Sequence, residues 1–349
     1  MLRVNRISLA KMEAGYAVAA IRLSGIMYYL AGSEAECGGY VLISSKTKAV
    51  FPLDGIDGGI MSFIPIPEQE GAFLAIRKFY PVFRSEEAEI VYVQMIPTPN
   101  ATVACKVQVV CSLPFVHRIA LVGKPENRKI IAATLCGEKS FVEDWSSPGA
   151  VYEIRIPRVP GGVVSANPIL LGLHKNHGMY LDHSNGEERI LVGAEEGVFE
   201  LREIEDGTWM IRKVMAIPTS DMWLSDIDGD GKQEMAVIQP FHGNELAVYR
   251  MDGMGYEKVF SYPMEFGHVV WMGELLGGFY VIGCSRGGKK EISIHRLNRT
   301  GGGFTFDSKV IREGLGIAQI AVFTEEDQVH ILTSDHGINE IGEFILTRS

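Results

Sequence analysis

Two groups of residues in this sequence have the types and spacing that chemistry requires. The first is "DIDGDGKQE", where Asp226, Asp228 and Asp230 fall at alternate positions, followed by Gly231 and, at the ninth position, Glu234. Carboxylates so spaced can surround one hard cation, with the Lys232 backbone carbonyl as a further oxygen if Gly231 turns the chain sharply. An EF-hand needs its glutamate at the twelfth position, where this chain has Val237. The "MAVI" that follows Glu234 reads as a buried strand, not an amphipathic helix, so the loop is expected to join two strands.

The second group is histidine. His117 in "PFVHRIAL", His177 in "HKNHGMYL" and His268 in "FGHVVWMG" each stand just ahead of an apolar run. Neutral imidazoles delivered by separate strands can hold zinc or a similar divalent ion and leave one position open for water or substrate. His174, His183 and Glu195 are further candidate ligands or supporting partners. His174 and His177, three residues apart, cannot both point inward from one strand.

The elements that must position these groups are strands. Apolar residues come in short runs bounded by Gly, Pro, Asn and Asp, and no convincing amphipathic helix is present, which is the all-β pattern. The phrase strand, polar turn, strand recurs in "EMAVIQPFHGNELAVYR", "RILVGAEEGVFELRE", "FYVIGCSRGGKKEISIHRL" and "VHILTSDHGINEIGEFIL". Weaker copies are "MYYLAGSEAECGGYVLIS", "GAFLAIRKFYPVFRSEEAEIVYVQ" and "IIAATLCGEKSFVEDWSSPGAVYEIRI". Seven units at a spacing of about 50 residues predict one seven-bladed β-propeller of four-stranded blades. The blades are expected near residues 12–55, 56–112, 113–173, 174–217, 218–264 and 265–313, the last combining 314–349 with 1–11. The final unit has three clear strands and "LRVNRISLA" has no blade of its own, so this strand should close the ring. A pair of β-sandwiches would not explain the repeat.

Aligning the units on their second strands puts His117, His177, Met222 and His268 at nearly equivalent positions, at one channel mouth. A slip of one residue would turn a side chain to the other face. Loops between second and third strands lie on the same face as the entries to the first strands, and they add Lys78, Tyr80, Glu195, Glu196, His242, Arg286, Asp335 and His336. His336, with Asp335 beside it, is the candidate general base, and Tyr80 or Lys78 the proton donor. Glu195, His242 and Arg286 are candidate substrate contacts. Trp145, in the long "CGEKSFVEDWSSPGAVY", either covers the mouth, stacks on a sugar ring or packs against a neighbouring blade. The plain alternative for each is a solvated loop residue. The Asp226–Glu234 loop falls on the opposite face, where it is a staple more than a catalyst, able to take calcium or another ion.

"DIDGDGKQEMAVI" resembles the metal loop of FG-GAP or VCBS-type propeller repeats. "GLHKNHGMYLDHSNGEERILVGAEEGVFEL" and "FVHRIALVGKPENRKIIAATLCGEKSFVEDWSSPGAVYEI" are similar to the propeller domain of aldos-2-ulose dehydratases, zinc-containing lyases of 1,5-anhydrofructose. Those enzymes carry further domains, for which this chain is too short. With the histidines, the resemblance implies a metal-dependent lyase or dehydratase, or an isomerase, acting on a keto-sugar through an enediolate. His117, His177 and His268 would hold the divalent ion, zinc first. The alternatives are a non-catalytic propeller that binds a glycan or protein, and a secreted polysaccharide lyase, which would want more calcium loops.

Composition narrows the partners. A net charge of −10 without a Lys/Arg run argues against nucleic acid and a charged membrane surface, and favours a neutral or cationic small ligand or a metal; the small-molecule carbohydrate partner is what the resemblance implies. Lys11 and Glu13 interrupt any leader-like apolar run, and "HVVWMGELLGGFYVIGC" contains Glu274 and reads as two strands around a turn. Cys37, Cys105, Cys111, Cys136 and Cys284 are odd in number and lack CxxC spacing, which suits reduced thiols in a cytoplasm. No GxSxG, P-loop or strand-borne GxGxxG supports a serine hydrolase or a nucleotide enzyme.

Overall fold

The computed structural model describes residues 2–348 except 54, 56, 99–102, 157–163, 206, 254, 301–302 and 326. Seven four-stranded antiparallel sheets stand around one axis as a propeller, and the described helices are three single 3-10 turns. The inner strands of blades 1 to 7 are Gly15–Leu23, Ser62–Pro65, Val116–Val122, Gly178–Asp182, Asp221–Ser225, Gly267–Leu275 and Ile317–Glu325. Blades 1 to 6 then run outward in chain order.

The burial patterns explain why these segments become strands in these layers. Second strands such as Lys129–Thr134 and Glu234–Gln239 are buried at every residue, because sheets cover both their faces. Outer strands such as Leu2–Lys11 and Gly255–Pro263 alternate between covered and exposed side chains. Apolar residues from adjacent sheets interlock in the seams: Tyr40, Phe63 and Phe73 meet edge to face at 5.6–6.4 Å between blades 1 and 2. Each Leu or Ile fully buried in such a seam contributes about 1.5–3 kcal/mol.

Ring closure takes the expected form. Leu2–Lys11 pairs antiparallel with Glu340–Arg348, as the outermost strand of blade 7. Arg6 then reaches Asp335 and, at 2.9 Å, Glu340.

One local irregularity matters for function. The inner strands of blades 1, 3, 6 and 7 each shift register at their second residue, so that Tyr16, His117, His268 and Ala318 are skipped by the pairing. A bulge of this kind leaves one residue unpaired and re-aims its side chain. Four blades thus present one residue each at the entry of the channel. No helix among the described residues is long and apolar enough to cross a membrane.

Candidate active site

His117 and His268 occupy bulges, and His177 sits at the matching place ahead of its strand, where its N–H bonds the Gly193 carbonyl at 3.2 Å. The imidazoles follow one rule: each addresses the carbonyl of the equivalent residue in the next blade. His177 Nδ1–H donates to Ser220 O at 3.1 Å, and His268 Nδ1–H donates to Ala318 O at 2.7 Å. His117 Nδ1 faces the His177 carbonyl without closing a well-formed bond and is buried with no partner. A carbonyl can only accept, so His177 and His268 carry the proton on Nδ1 and keep a lone pair on Nε2. Gly178 permits the close approach, since a Cβ there would stand 2.5 Å from Ser220 O.

The structure changes the membership of the histidine group. The three whose nitrogens lie within 4.8 Å of one another are His177, His242 and His268. His242, expected as a substrate contact, reaches in from the loop between the second and third strands of blade 5, with φ +46°. Its Nε2 is 3.4 Å from His177 Nε2. His117, expected as a ligand, meets the His177 ring at a tilt with centroids 4.4 Å apart, and its Nε2 bonds the Tyr16 hydroxyl at 3.2 Å. Met222, aligned with the histidines, is buried in the seam between blades 4 and 5 instead.

Burial pushes His117, His177 and His268 well below the ordinary imidazole range, helped by Arg118 at His117, by the neighbouring His117 at His177, and by Arg286 at His268. Burial, with Arg286 and Arg118, takes His242 down to about 3. All four are uncharged at neutral pH. Asp221, in the channel near Arg118, is pushed up to about 6 by burial, which the guanidinium partly offsets.

Above the histidines lies a pocket of about 330 Å³, lined in part by Phe83, His242, Phe266, Arg286, Glu34 and His336. His336 Nε2 lies 2.7 Å from Glu34 Oε1, to which Arg286 also reaches at 3.4 Å. The expected His336–Asp335 pairing is not formed. Successive residues leaving a strand point to opposite sides, and Asp335 is fully buried against Arg6 within blade 7.

Other expected residues lie apart from this pocket. Lys78 Nζ is 3.2 Å from Glu89 and 4.0 Å from Asp57, and Tyr80 is half-buried near Asp57 and Glu36. Glu195 pairs with Lys175 at 3.2 Å, and His174 with Glu196 at 2.7 Å. His183 is on the opposite face, 3.5 Å from Glu188. Trp145 packs against its neighbours: Phe83 at 5.5 Å, Phe241 at 5.4 Å, and the Lys139 ammonium 3.3 Å from its ring. Phe241 in turn stacks on His242 at 3.9 Å, so these aromatics roof one side of the mouth.

The sequence reading missed Tyr16, Glu34, Arg118 and Asp221. Tyr16 was within reach, because "AGYAVAAI" places it ahead of its strand as "FVHRIAL" places His117.

The aspartate loop joins the first and second strands of blade 5, on the face away from the histidines. Asp226 accepts the N–H groups of Gly229 and Gly231 at 2.6 and 3.0 Å, and Gly231 takes φ +85°. Carboxylate oxygens of Asp226, Asp228 and Glu234 lie within 4.8 Å of one another. Asp230 is exposed and caps the Lys232 N–H at 2.8 Å. Glu234 is fully buried, and its Oε1 has no partner. Burial, with Asp228 and Asp230 nearby, pushes its carboxyl up to about 7. A hard cation fits this donor set, since it would satisfy the orphaned oxygen and neutralise the crowding.

The sequence matches no protein-family model and no curated protein. Solved structures do match. A candidate 6-phosphogluconolactonase from Bacteroides uniformis superimposes with a TM-score of 0.52 at 10% identity, covering 96% of this chain and 95% of its own. A second, from Bacteroides fragilis, gives 0.51 at 11% identity over 95% and 94%. An ancestral GH74 enzyme gives 0.61 at 10% identity, covering 97% of this chain and 48% of its own. At such identities these likenesses establish the propeller fold.

Proposed function

We propose that this propeller is a metal-dependent enzyme acting on a carbohydrate, with its reacting centre at the histidine mouth. The observation that carries the reading is the convergence of His177, His242 and His268. Two Zn–N bonds of about 2.05 Å at a tetrahedral angle separate their nitrogens by about 3.3 Å, and His177 Nε2 and His242 Nε2 stand 3.4 Å apart. The tautomers of His177 and His268 are already set by carbonyl acceptors, the arrangement that orients metal-binding imidazoles. Zinc is the first candidate for such a neutral nitrogen set.

A divalent ion held there would polarise a sugar carbonyl or hydroxyl as a Lewis acid. The protein's own contribution is to hold a proton carrier beside it: His336, fixed by Glu34, lines the same pocket as His242. In the lyase or dehydratase form of the reading His336 takes the proton next to the carbonyl. An isomerase would use the same transfer in both directions. The Phe83, Phe241 and Trp145 roof would limit the access of water to one side of the mouth. The sugar-acting names of the structural neighbours, a 6-phosphogluconolactonase and a GH74 enzyme, support carbohydrate as the substrate class. A non-catalytic glycan-binding propeller is the second reading, favoured by exposed apolar side chains lining the mouth, Val82 at 40% and Phe266 at 41%.

The test is metal analysis of the purified chain by plasma mass spectrometry after zinc supplementation, beside His177→Ala with His268→Ala. Near-stoichiometric zinc that disappears in a folded double variant supports the enzyme reading. Absence of transition metal, or its persistence in the variant, leaves the glycan-binding reading.

A further inference from the structure

The chain carries a net charge of −10, and its bulk composition argues for a neutral ligand. The mouth is the exception. Arg286 lies over two aromatic rings, its guanidinium carbon 5.9 Å from the centroids of both Tyr16 and Phe266, and Glu34 holds it from a third side at 3.4 Å. Its direction is therefore fixed before any ligand arrives.

Lys290 lines the same pocket, its stem passing Gly316 and Gly337, whose missing side chains leave it room. Among the described residues its ammonium has no carboxylate partner. Arg118, below in the channel, makes no ion pair among the described residues but hydrogen-bonds the Tyr16 side chain and, at 3.4 Å, the His117 carbonyl. Glu34 is the one carboxylate of the pocket lining. Two cationic groups, Arg286 and Lys290, thus line a space whose one lining carboxylate is Glu34. Beside them Phe266 offers a flat apolar face, braced by its stacking on His242 at 4.3 Å.

We propose that this pocket binds an acidic sugar, with a carboxylate or phosphate group against Arg286 and Lys290 and the sugar ring along Phe266. The proposal rests on the reading of the mouth as a carbohydrate site and names the substrate class that site selects. The chemistry is anion recognition by a preorganised guanidinium and an unpaired ammonium, and carboxylate and phosphate share it. A neutral sugar would leave the Lys290 charge facing a half-enclosed space without a counter-ion.

Isothermal titration of the zinc-supplemented full chain tests it, with D-glucuronate, D-galacturonate and D-glucose 6-phosphate against D-glucose and D-galactose. At least one acidic sugar should bind on the order of tenfold or more tighter than its neutral counterpart, as expected when a charged hydrogen bond is gained. Arg286→Gln and Lys290→Gln should each remove most of that preference while zinc content and circular dichroism stay unchanged. A preference for the uronates alone, or for the phosphate alone, identifies the anion's source and supports the proposal. Equal binding of neutral and acidic sugars, a preference untouched by either substitution, or no binding by any of the five overturns it. Retained zinc with no acidic preference sinks this proposal and spares the metal site, whereas acidic preference without zinc does the reverse.

Discussion

The Nε2 atoms of His177 and His242 face each other at 3.4 Å, and only one of them can carry a hydrogen. Because His177 Nδ1–H is committed to the Ser220 carbonyl, its Nε2 is the acceptor. His242 Nε2 is then the donor in the metal-free protein, and a metal can use that nitrogen only if the proton moves to Nδ1. The buried pair is thus a hydrogen bond that would have to give way for the two nitrogens to share an ion.

His242 can be separated from the rest by a substitution that keeps its backbone. Its φ of +46° suits asparagine, which tolerates the left-handed region better than most residues. His242→Asn is expected to fold with a melting temperature within a few degrees of the parent, yet to lose at least tenfold in zinc affinity. His117→Ala, by contrast, should retain zinc, because Tyr16 rather than the ion occupies its Nε2. Competition titration with a chromophoric chelator measures both, and equal losses would contradict the assignment.

The aspartate loop should respond to calcium without touching the histidine mouth. Glu234→Gln removes the buried carboxylate whose Oε1 has no partner. Calcium is expected to raise the melting temperature of the parent protein and to leave that of the variant unchanged, with zinc content the same in both. Scanning calorimetry with and without calcium decides this.

Trp145 links loops of blades 2, 3 and 5 through Phe83 and Phe241. Trp145→Ala should cost roughly 2–3 kcal/mol, below the range for a fully buried tryptophan because part of the ring already meets solvent. Urea unfolding gives the number. Hydrogen exchange should rise in residues 137–147 and 240–244 and stay unchanged in the seam between blades 6 and 7.

Blade 7 predicts the pH response. Lys11 and Arg6 hold the Glu340 carboxyl down at about 2, so its contribution is complete above the unfolded value of about 4.3. That contribution is lost as pH falls through the folded value. Asp335 has the opposite sign: burial raises it, outweighing Arg6, so its protonated form favours the fold and its contribution fades as pH rises through the raised value. Glu340→Gln should flatten the acid limb of stability between pH 4 and 2. Arg6→Ala strands a buried charge, at roughly 3–5 kcal/mol, and should be less damaging at pH 4 than at pH 7. Urea melts across this range measure both.

The legible and illegible parts of the molecule divide along a physical line. The repeat, the closing strand and the Asp226–Glu234 loop could be read because each depends on local pattern: strand period, turn residues and carboxylate spacing. His117 and His268 could be placed because the bulge holding each recurs at the strand entry. His242 could not, since a loop residue's direction depends on a backbone angle that sequence does not display. Glu34 and His336 are 302 residues apart and meet only once the ring closes. Asp335, adjacent in sequence, was the natural but mistaken partner, because adjacency along a strand end means opposite sides.

The strand that completes blade 7 pairs Leu2 with Arg348. During synthesis the Leu2–Lys11 strand has no partner until Glu340–Arg348 has been made. Six blades can form in the order they are translated while the seventh waits, its hydrogen-bonding edge bare for the whole time. Arg3, Arg6 and Lys11 place positive charge along that strand, which disfavours pairing with another copy of itself.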